Sequence, residues 1–230
     1  IAGKPEIIRK LTREDLVRYR AKHYVAKGTI MVVAGAFDAP RMLREIRTHF
    51  GHIPTSPKSG KVKTKERQAK PAVHVQFKQS DQTHLVIGCR AFDAYDKRRY
   101  ALEVLSDLLG GGMSSRLFQR VREELGAAYY VKAGADLYSD HGYLAVSAGV
   151  HHDKLLPVME AILGELSTLT KTLVGHDELT RTKDHLAGKL ILGLESSDAL
   201  ATYYGGQEIL GTKIETPRDL LKRIKGITAE

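Results

Sequence analysis

The stretch that decides the fold is LGGGMSSRLFQRVREELGAAYY, which runs from Leu109 to Tyr130. It begins with three glycines, continues through two serines into a segment with helical spacing, and ends with a glycine and paired tyrosines. Ser114 or Ser115 can cap this predicted helix at its start, and Gly126 can end it. The stretch could bind phosphate, could only start a helix, or could form one wall of a substrate site.

A nucleotide-binding loop is excluded by the order of the residues. A P-loop needs the pattern G-x-x-x-x-G-K-[ST] after a strand, whereas LGGGMSSR follows a predicted helix and lacks the final Gly-Lys-Ser/Thr. The dinucleotide fingerprint G-x-G-x-x-G does not fit either, because Ser115 occupies the position of its third glycine. The first role that we assign to the glycines is therefore to end the preceding helix and allow a close turn.

Motifs for metal binding and nucleophilic catalysis are absent from the sequence. Neither H-E-x-x-H nor the inverted form H-x-x-E-H occurs, although the chain has ten histidines. Because Cys89 is the single cysteine, an internal disulfide and a cysteine zinc site are excluded. The serine nucleophile pattern G-x-S-x-G is missing as well. The residues themselves define neither a catalytic centre nor a metal ligand in this chain.

The net charge of +9 raises the question of nucleic-acid binding. The densest positive charge lies in KSGKVKTKERQAK, residues 58–70, which has no periodic apolar residues and indicates a solvated linker. No basic surface with interleaved aromatic residues accompanies it, so we expect no nucleic-acid partner. No apolar run approaches the ~20 residues that span a bilayer, so we expect no membrane span. The compartment stays open, with periplasm and cytoplasm both compatible in a bacterium.

Hydrophobic periodicity predicts an α+β fold, an antiparallel sheet with helices packed on one face. AVHVQFKQS and QTHLVIGCRAF are strand candidates, and AAYYVKAGAD and GYLAVSAGV predict an antiparallel hairpin. Upstream, LTREDLVRYRAKHY predicts a helix, GTIMVVAGAF a buried strand and DAPRMLREIRTHFG a second helix. Long helices are predicted over residues 152–169 and 177–194, followed by two shorter ones.

The two ends of the chain carry similar signals. LTREDL is followed by a predicted helix and strand, whereas ITAE, residues 227–230, is a helix-start signal alone. A similar segment precedes each signal: IAGKPEIIRK lies before LTREDL, and ILGTKIETPRDLLKRIKG lies before ITAE. This pattern predicts two copies of one repeat. On this interpretation, residues 1–57 are expected to form the tail of a first homologous domain, 58–70 a linker, and 71–230 a second domain truncated before its last helix and strand. Residues 12–50 are then expected to fill the gap, within the chain or by segment exchange in a homodimer.

The central stretch resembles the second-half signature of the pitrilysin/insulinase zinc metallopeptidases, especially their mitochondrial-processing-peptidase-like branch. REDLVRYRAKHYVAKGTIMVVAGAFD, QTHLVIGCRAFDAYDKRRYALEVLSDLLGGG and LESSDALATYYGGQEILG extend the resemblance over almost the whole chain. It implies half of a duplicated metallopeptidase fold, whose zinc lies on an H-x-x-E-H helix of the first half. Zinc is therefore expected in the full-length protein or in a partner subunit, with no metal ligand and no catalytic residue in this chain.

The resemblance also implies which residues bind substrate. Active relatives use an arginine and a tyrosine seven residues apart to reach the substrate backbone, and Arg122 and Tyr129 match that pair. A guanidinium can hold peptide carbonyls, and a phenol can donate to an oxyanion. Strand alternation places Tyr130 on the opposite face from Tyr129. The candidate substrate-contacting loop, structural in the first place, comprises Gly110, Gly111 and Gly112.

The function that the resemblance implies is that of a fragment, inactive alone, of a zinc metalloendopeptidase. It would bind an extended peptide substrate and pair with the first homologous domain or a zinc-bearing partner subunit. The peptide would add a strand to a sheet edge. The alternative is a non-catalytic subunit of the same family, which pairs with a zinc-bearing subunit or has a structural role.

Overall fold

A computed structural model describes the chain except for residues 1, 2 and 78. The chain divides into two compact units. The domain boundaries that the sequence predicts at residues 57 and 70 stay a prediction. The first unit runs up to Lys63 and includes Ser196–Lys213, and the second comprises Thr64–Glu195 and Ile214–Glu230.

Helices dominate the described chain, and the strands are confined to its second unit. The helices are α1 (Pro5–Ile8), α2 (Arg13–His23), α3 (Ala39–Phe50), α4 (Arg99–Gly110), α5 (Leu155–Lys171), α6 (His176–Gly193), α7 (Ser197–Leu210) and α8 (Pro217–Lys225). The strands are β1 (Thr83–Ala91), β2 (Ala128–Leu137) and β3 (Gly142–Val150). A π-helix spans Phe118–Glu124, and single 3-10 turns span Ala26–Gly28 and His152–Lys154.

Helix starts follow the local signals in the sequence. Thr12 and Asp15 form a complete capping box at the start of α2, and Thr216 and Asp219 form the same box at the start of α8. Asp38 accepts a hydrogen bond from a main-chain N–H at the start of α3. Each cap satisfies donors that the first helical turn leaves free, which explains why these helices begin where the sequence predicts.

The sheet is antiparallel with strand order β1-β3-β2, so the predicted hairpin β2–β3 forms and β3 is central. Both outer strands reach the same end of β3, because Thr83 and Ala128 are each paired with Val150. The α+β class with an antiparallel sheet is confirmed.

The core of the second unit lies on one face of this sheet. Alternate residues of β3 point into it, and α4, the π-helix and α5 cover them, so burial of apolar surface holds these helices to the sheet. The opposite face stays open, and Val86 on it is 67% exposed. The buried core residues are Leu109, Leu117, Val121, Ala127, Val131, Leu144, Val146, Ala148, Val150, Val158 and Ile162.

An ion network around the buried Glu215 carboxylate joins the start of α4 to α8. The Glu215 carboxylate accepts hydrogen bonds from the Tyr100 hydroxyl, from Arg223 and, at 3.2 Å, from Arg99. Burial raises the pKa of Glu215, but the hydrogen bonds from Tyr100 and Arg223 outweigh it and leave the pKa below its usual value. Glu215 is therefore a charged, well-partnered group at this junction.

Two predicted strands are absent, and both predictions were wrong. Residues 29–34 of GTIMVVAGAF have no regular secondary structure and do not belong to the β1-β3-β2 sheet. Residues 72–77 and 79–80 of AVHVQFKQS are not in a strand either, and Lys78 lies outside the described residues. A strand forms only with a partner for its main-chain groups, which local sequence cannot provide. The expected filling of the gap by residues 12–50, within the chain or by exchange between two copies, stays a prediction.

Candidate functional site

The glycine-rich turn after α4 is closely packed. A Cβ at position 110 would lie 2.9 Å from the Ala133 Cβ and closer still to the Ala133 nitrogen, which is tighter than real contacts allow. A Cβ on Gly111 would overlap the Asp107 carboxylate in the same way. None of the three glycines has a positive φ, so the turn needs them for space and not for backbone conformation. This supports the structural role that we assign to them first.

Asp107 and His185 tie the turn to α6. The buried Asp107 carboxylate is joined to the His185 Nδ1 at 2.7 Å, while its Oδ1 is buried without a hydrogen-bond partner in the described part of the chain. A Cβ on Gly112 would lie 3.0 Å from the His185 Nε2. The pair therefore packs against the turn on the side of α6. Sequence reasoning missed it, because 78 residues separate the two partners and no local pattern connects them.

The predicted helix after the serines forms, but most of it is a π-helix, Phe118–Glu124. Ser115 does not act as the predicted cap that accepts a hydrogen bond. Its buried hydroxyl donates to the Gly112 carbonyl at 2.6 Å, so it closes the turn instead. Neither Ser114 nor Ser115 accepts a capping hydrogen bond within the described chain, so the predicted cap was wrong; a hydroxyl can donate as well as accept, and that of Ser115 donates. The wide turns of a π-helix often mark functional segments.

Two of the three arginines in this segment are bound to carboxylates. Arg116 reaches across to α6 and α5, where it donates to Glu178 at 2.7 Å and approaches Glu165 at 3.5 Å. Its hydrogen bond to Glu178 lowers the pKa of that carboxyl group. Arg120 forms an ion pair with Glu124 one turn along the π-helix. Both guanidinium groups therefore serve the structure of the segment.

Arg122, the third arginine, is exposed and has no carboxylate partner among the described residues. Its guanidinium carbon lies 5.0 Å from the centre of the Phe118 ring, which is within the range of a cation–π interaction. This contact engages the face of the guanidinium and leaves its in-plane N–H donors free. The i,i+4 spacing of the two residues was the signal in the sequence that could have revealed the contact.

Tyr129 lies at an irregularity in the β2–β3 pairing. Ala128 is paired with Val150 and Tyr130 with Gly149, so Tyr129 is an extra residue, as in a β-bulge. Its side chain is 60% exposed, and its phenol has no hydrogen-bond partner within the described chain. The phenol is thus open to a ligand.

The prediction that Tyr129 and Tyr130 lie on opposite faces assumed a regular strand. Regular alternation does not continue through the extra residue of a bulge, so that assumption does not hold here. No hydrogen bond joins Arg122 to Tyr129 within the described chain. Their convergence on one substrate, and the separation of Tyr129 from Tyr130 onto opposite faces, stay predictions.

The described residues do not fit a zinc ion. A zinc site needs at least three protein ligands around one point, and no three His, Cys, Asp or Glu side chains of the described chain come together in this way. Pairs such as Asp107 with His185 supply only two donors. In the same described residues, no helix is long and apolar enough to cross a membrane.

The comparisons with known proteins define the family. Residues 10–186 match the family described as the peptidase M16 inactive domain. An uncharacterized zinc protease of Streptomyces coelicolor is 30% identical over 241 residues, which cover 100% of this chain and 51% of that protein. The chain belongs to the M16 peptidase family, and the resemblance to the second domain of pitrilysin-type proteins is confirmed. It spans about half the length of the curated relatives that it matches.

Solved structures show the same fold in longer chains. The structure of a protease from Helicobacter pylori has a TM-score of 0.86 and 19% identity, and the match covers 99% of this chain and 56% of that one. A peptidase M16 inactive domain from Pseudomonas fluorescens has a TM-score of 0.81 and 22% identity, with 99% and 54% covered. The prediction of half of a duplicated metallopeptidase fold is thereby confirmed.

Proposed function

We propose that this chain is the peptide-binding second domain of a zinc metallopeptidase and is inactive alone. The observation that carries the proposal is the state of Arg122 and Tyr129: both are exposed, and neither has a carboxylate or hydrogen-bond partner in the described chain. The neighbouring arginines, by contrast, are paired. Free donors on a segment fixed by the core are what a binding site requires.

The chemistry of the pair suits a peptide. The Arg122 guanidinium offers several donors in a fixed plane, which can hold the carbonyl oxygens of an extended main chain. The Tyr129 hydroxyl can donate to the scissile carbonyl oxygen as negative charge develops on it, and such a donor is worth about 3 kcal/mol. Arg122 would therefore act mainly in binding and Tyr129 mainly on the rate.

The edge of the sheet offers a place for the peptide. β2 pairs only with β3 in the described sheet, so its outer edge has free main-chain groups. Tyr129 is the second residue of β2. An extended peptide can add to such an edge as a further strand. This position would bring the peptide carbonyls beside the phenol.

The zinc and the general base would come from another domain or subunit. Relatives about twice as long as this chain carry the name zinc protease, which supports a first homologous domain or a zinc-bearing subunit as the partner. The alternative of a non-catalytic subunit predicts the same pairing without cleavage. A purely structural subunit would not need free donors at Arg122 and Tyr129.

Incubation of the purified chain with an unstructured peptide, with and without a metal chelator, tests the proposal. We expect no cleavage by the chain alone, and cleavage when a zinc-bearing first domain of the family is added. Arg122→Ala should raise KM in the mixture, whereas Arg120→Ala, which removes an arginine already paired with Glu124, should not. Chelator-sensitive cleavage by the chain alone would overturn the proposal.

A further inference from the structure

Tyr130, Gly149 and His84 form one row across the open face of the sheet. Gly149 in the central strand is the register partner of His84 on one side and of Tyr130 on the other. The Tyr130 hydroxyl and the His84 Nδ1 are 3.2 Å apart, and the two rings are stacked, with centroids 6.1 Å apart and an interplanar angle of 29°. The contact therefore spans all three strands.

The missing side chain of Gly149 makes this contact possible. A Cβ at position 149 would lie 2.5 Å from the Tyr130 Cε1 and 2.9 Å from its Cδ1. The Tyr130 ring therefore occupies the space that any other residue in the central strand would fill. Only with glycine at this position can the phenol lie across β3 and reach His84 in β1.

The row lies directly beside the bulge at Tyr129. On one side of the bulge, Ala128 is paired with the buried Val150. On the other side, Tyr130 is held by Gly149 and His84. The Tyr129 backbone is thus fixed from both sides, while its side chain stays free.

We infer that Tyr130, held by Gly149 and His84, is a positioning residue that fixes the bulge and so presents the Tyr129 phenol. The inference rests on the proposed function for the role of Tyr129 itself. Two adjacent tyrosines offer two registers against β3, and a slip of one residue would put Tyr129 where Tyr130 lies. The space over Gly149 and the hydrogen bond to His84 favour the register in which Tyr130, and not Tyr129, lies opposite Gly149. Preorganisation of this kind keeps a catalytic donor in its productive geometry.

The bulge can be followed by 19F NMR of the chain labelled with 3-fluorotyrosine. Loss of one signal in Tyr129→Phe identifies the Tyr129 resonance. We expect Tyr130→Ala and Gly149→Ala to shift or broaden it and His84→Gln to have a smaller effect. The control is Tyr143→Phe. Tyr143 lies on the same face of β3 as Gly149 but at the opposite end of the strand, so loss of its hydroxyl should leave the Tyr129 resonance unchanged.

Kinetics of the chain paired with a zinc-bearing first domain give the second readout. Tyr130→Ala should lower kcat by about tenfold or more at unchanged KM, and Tyr130→Phe, which keeps the ring, should restore part of the rate. An unchanged Tyr129 resonance in both Tyr130→Ala and Gly149→Ala would overturn the inference. If the resonance shifts but Tyr129→Phe cleaves at the normal rate, the positioning of Tyr129 by Tyr130 is supported and the proposed role of Tyr129 fails.

Discussion

Gly110 lies against the main chain of Ala133, so that a Cβ on the glycine would be 2.9 Å from the alanine Cβ. The contact joins the last residue of α4 to the middle of β2. It places the glycine-rich turn directly on the sheet whose first residues include Tyr129. Close packing at this point therefore sets the position of the candidate site.

Gly110→Ala should destabilise the protein by about 1–3 kcal/mol, because the backbone of β2 would have to move. The matched control is Gly134→Ala, one residue after Ala133, where a Cβ would meet nothing within 4 Å. Gly134→Ala should be neutral or stabilise by up to about 1 kcal/mol. Urea denaturation measures both, and equal effects of the two substitutions would contradict the packing role.

The ion pair between Arg116 and Glu178 should stabilise the protein in a pH-dependent way. The pKa of Glu178 is lowered from its ordinary value of 4.5 by the hydrogen bond from Arg116. The folded state thus favours the charged carboxylate, so the stabilisation is present above pH 4.5 and is lost as the pH falls through the lowered pKa.

Glu178→Gln should therefore cost roughly 1 kcal/mol near neutral pH, since the pair is partly exposed, and progressively less as the pH falls below 4.5. The free energy of unfolding from urea titrations at several pH values checks this. Glu124→Gln, which removes the partner of the exposed Arg120, is the control and should have a smaller effect. If the difference in the free energy of unfolding between the wild type and Glu178→Gln did not decrease at low pH, the stabilising role of the ion pair would be contradicted.

Tyr100→Phe should destabilise the protein by about 1–2 kcal/mol, because the buried Glu215 carboxylate loses a hydrogen bond. Tyr129→Phe removes a hydroxyl that has no partner in the described chain and should leave the free energy of unfolding unchanged. Thermal or urea denaturation of the two variants separates a structural phenol from a free one. Equal stability of both variants would show that the Glu215 network contributes little.

The sequence predicted helices better than strands, for a physical reason. Thr12 and Thr216 cap their helices through residues three positions away, so the signal and the structure are both local. Strand formation depends on a partner for the main-chain groups, and the apolar run in residues 29–34 forms no strand although its local pattern favours one. The same limit hid the bulge at Tyr129, which only the register against β3 defines.

The candidate site was predicted from the resemblance and not from residue chemistry alone. Spacing and context selected Arg122 and Tyr129. Only the structure shows that Arg116 and Arg120 each pair with a glutamate, whereas Arg122 does not. His84 and Tyr130 are 46 residues apart, so their contact had no local signal.

The most direct test of the central claim is the affinity of the purified chain for an extended, fluorescently labelled peptide, measured by anisotropy. Arg122→Ala should weaken binding by about tenfold or more and leave the free energy of unfolding unchanged, whereas Arg120→Ala should bind like the wild type. Equal affinity of Arg122→Ala and the wild type would contradict the account, because the free guanidinium would then have no part in holding peptide.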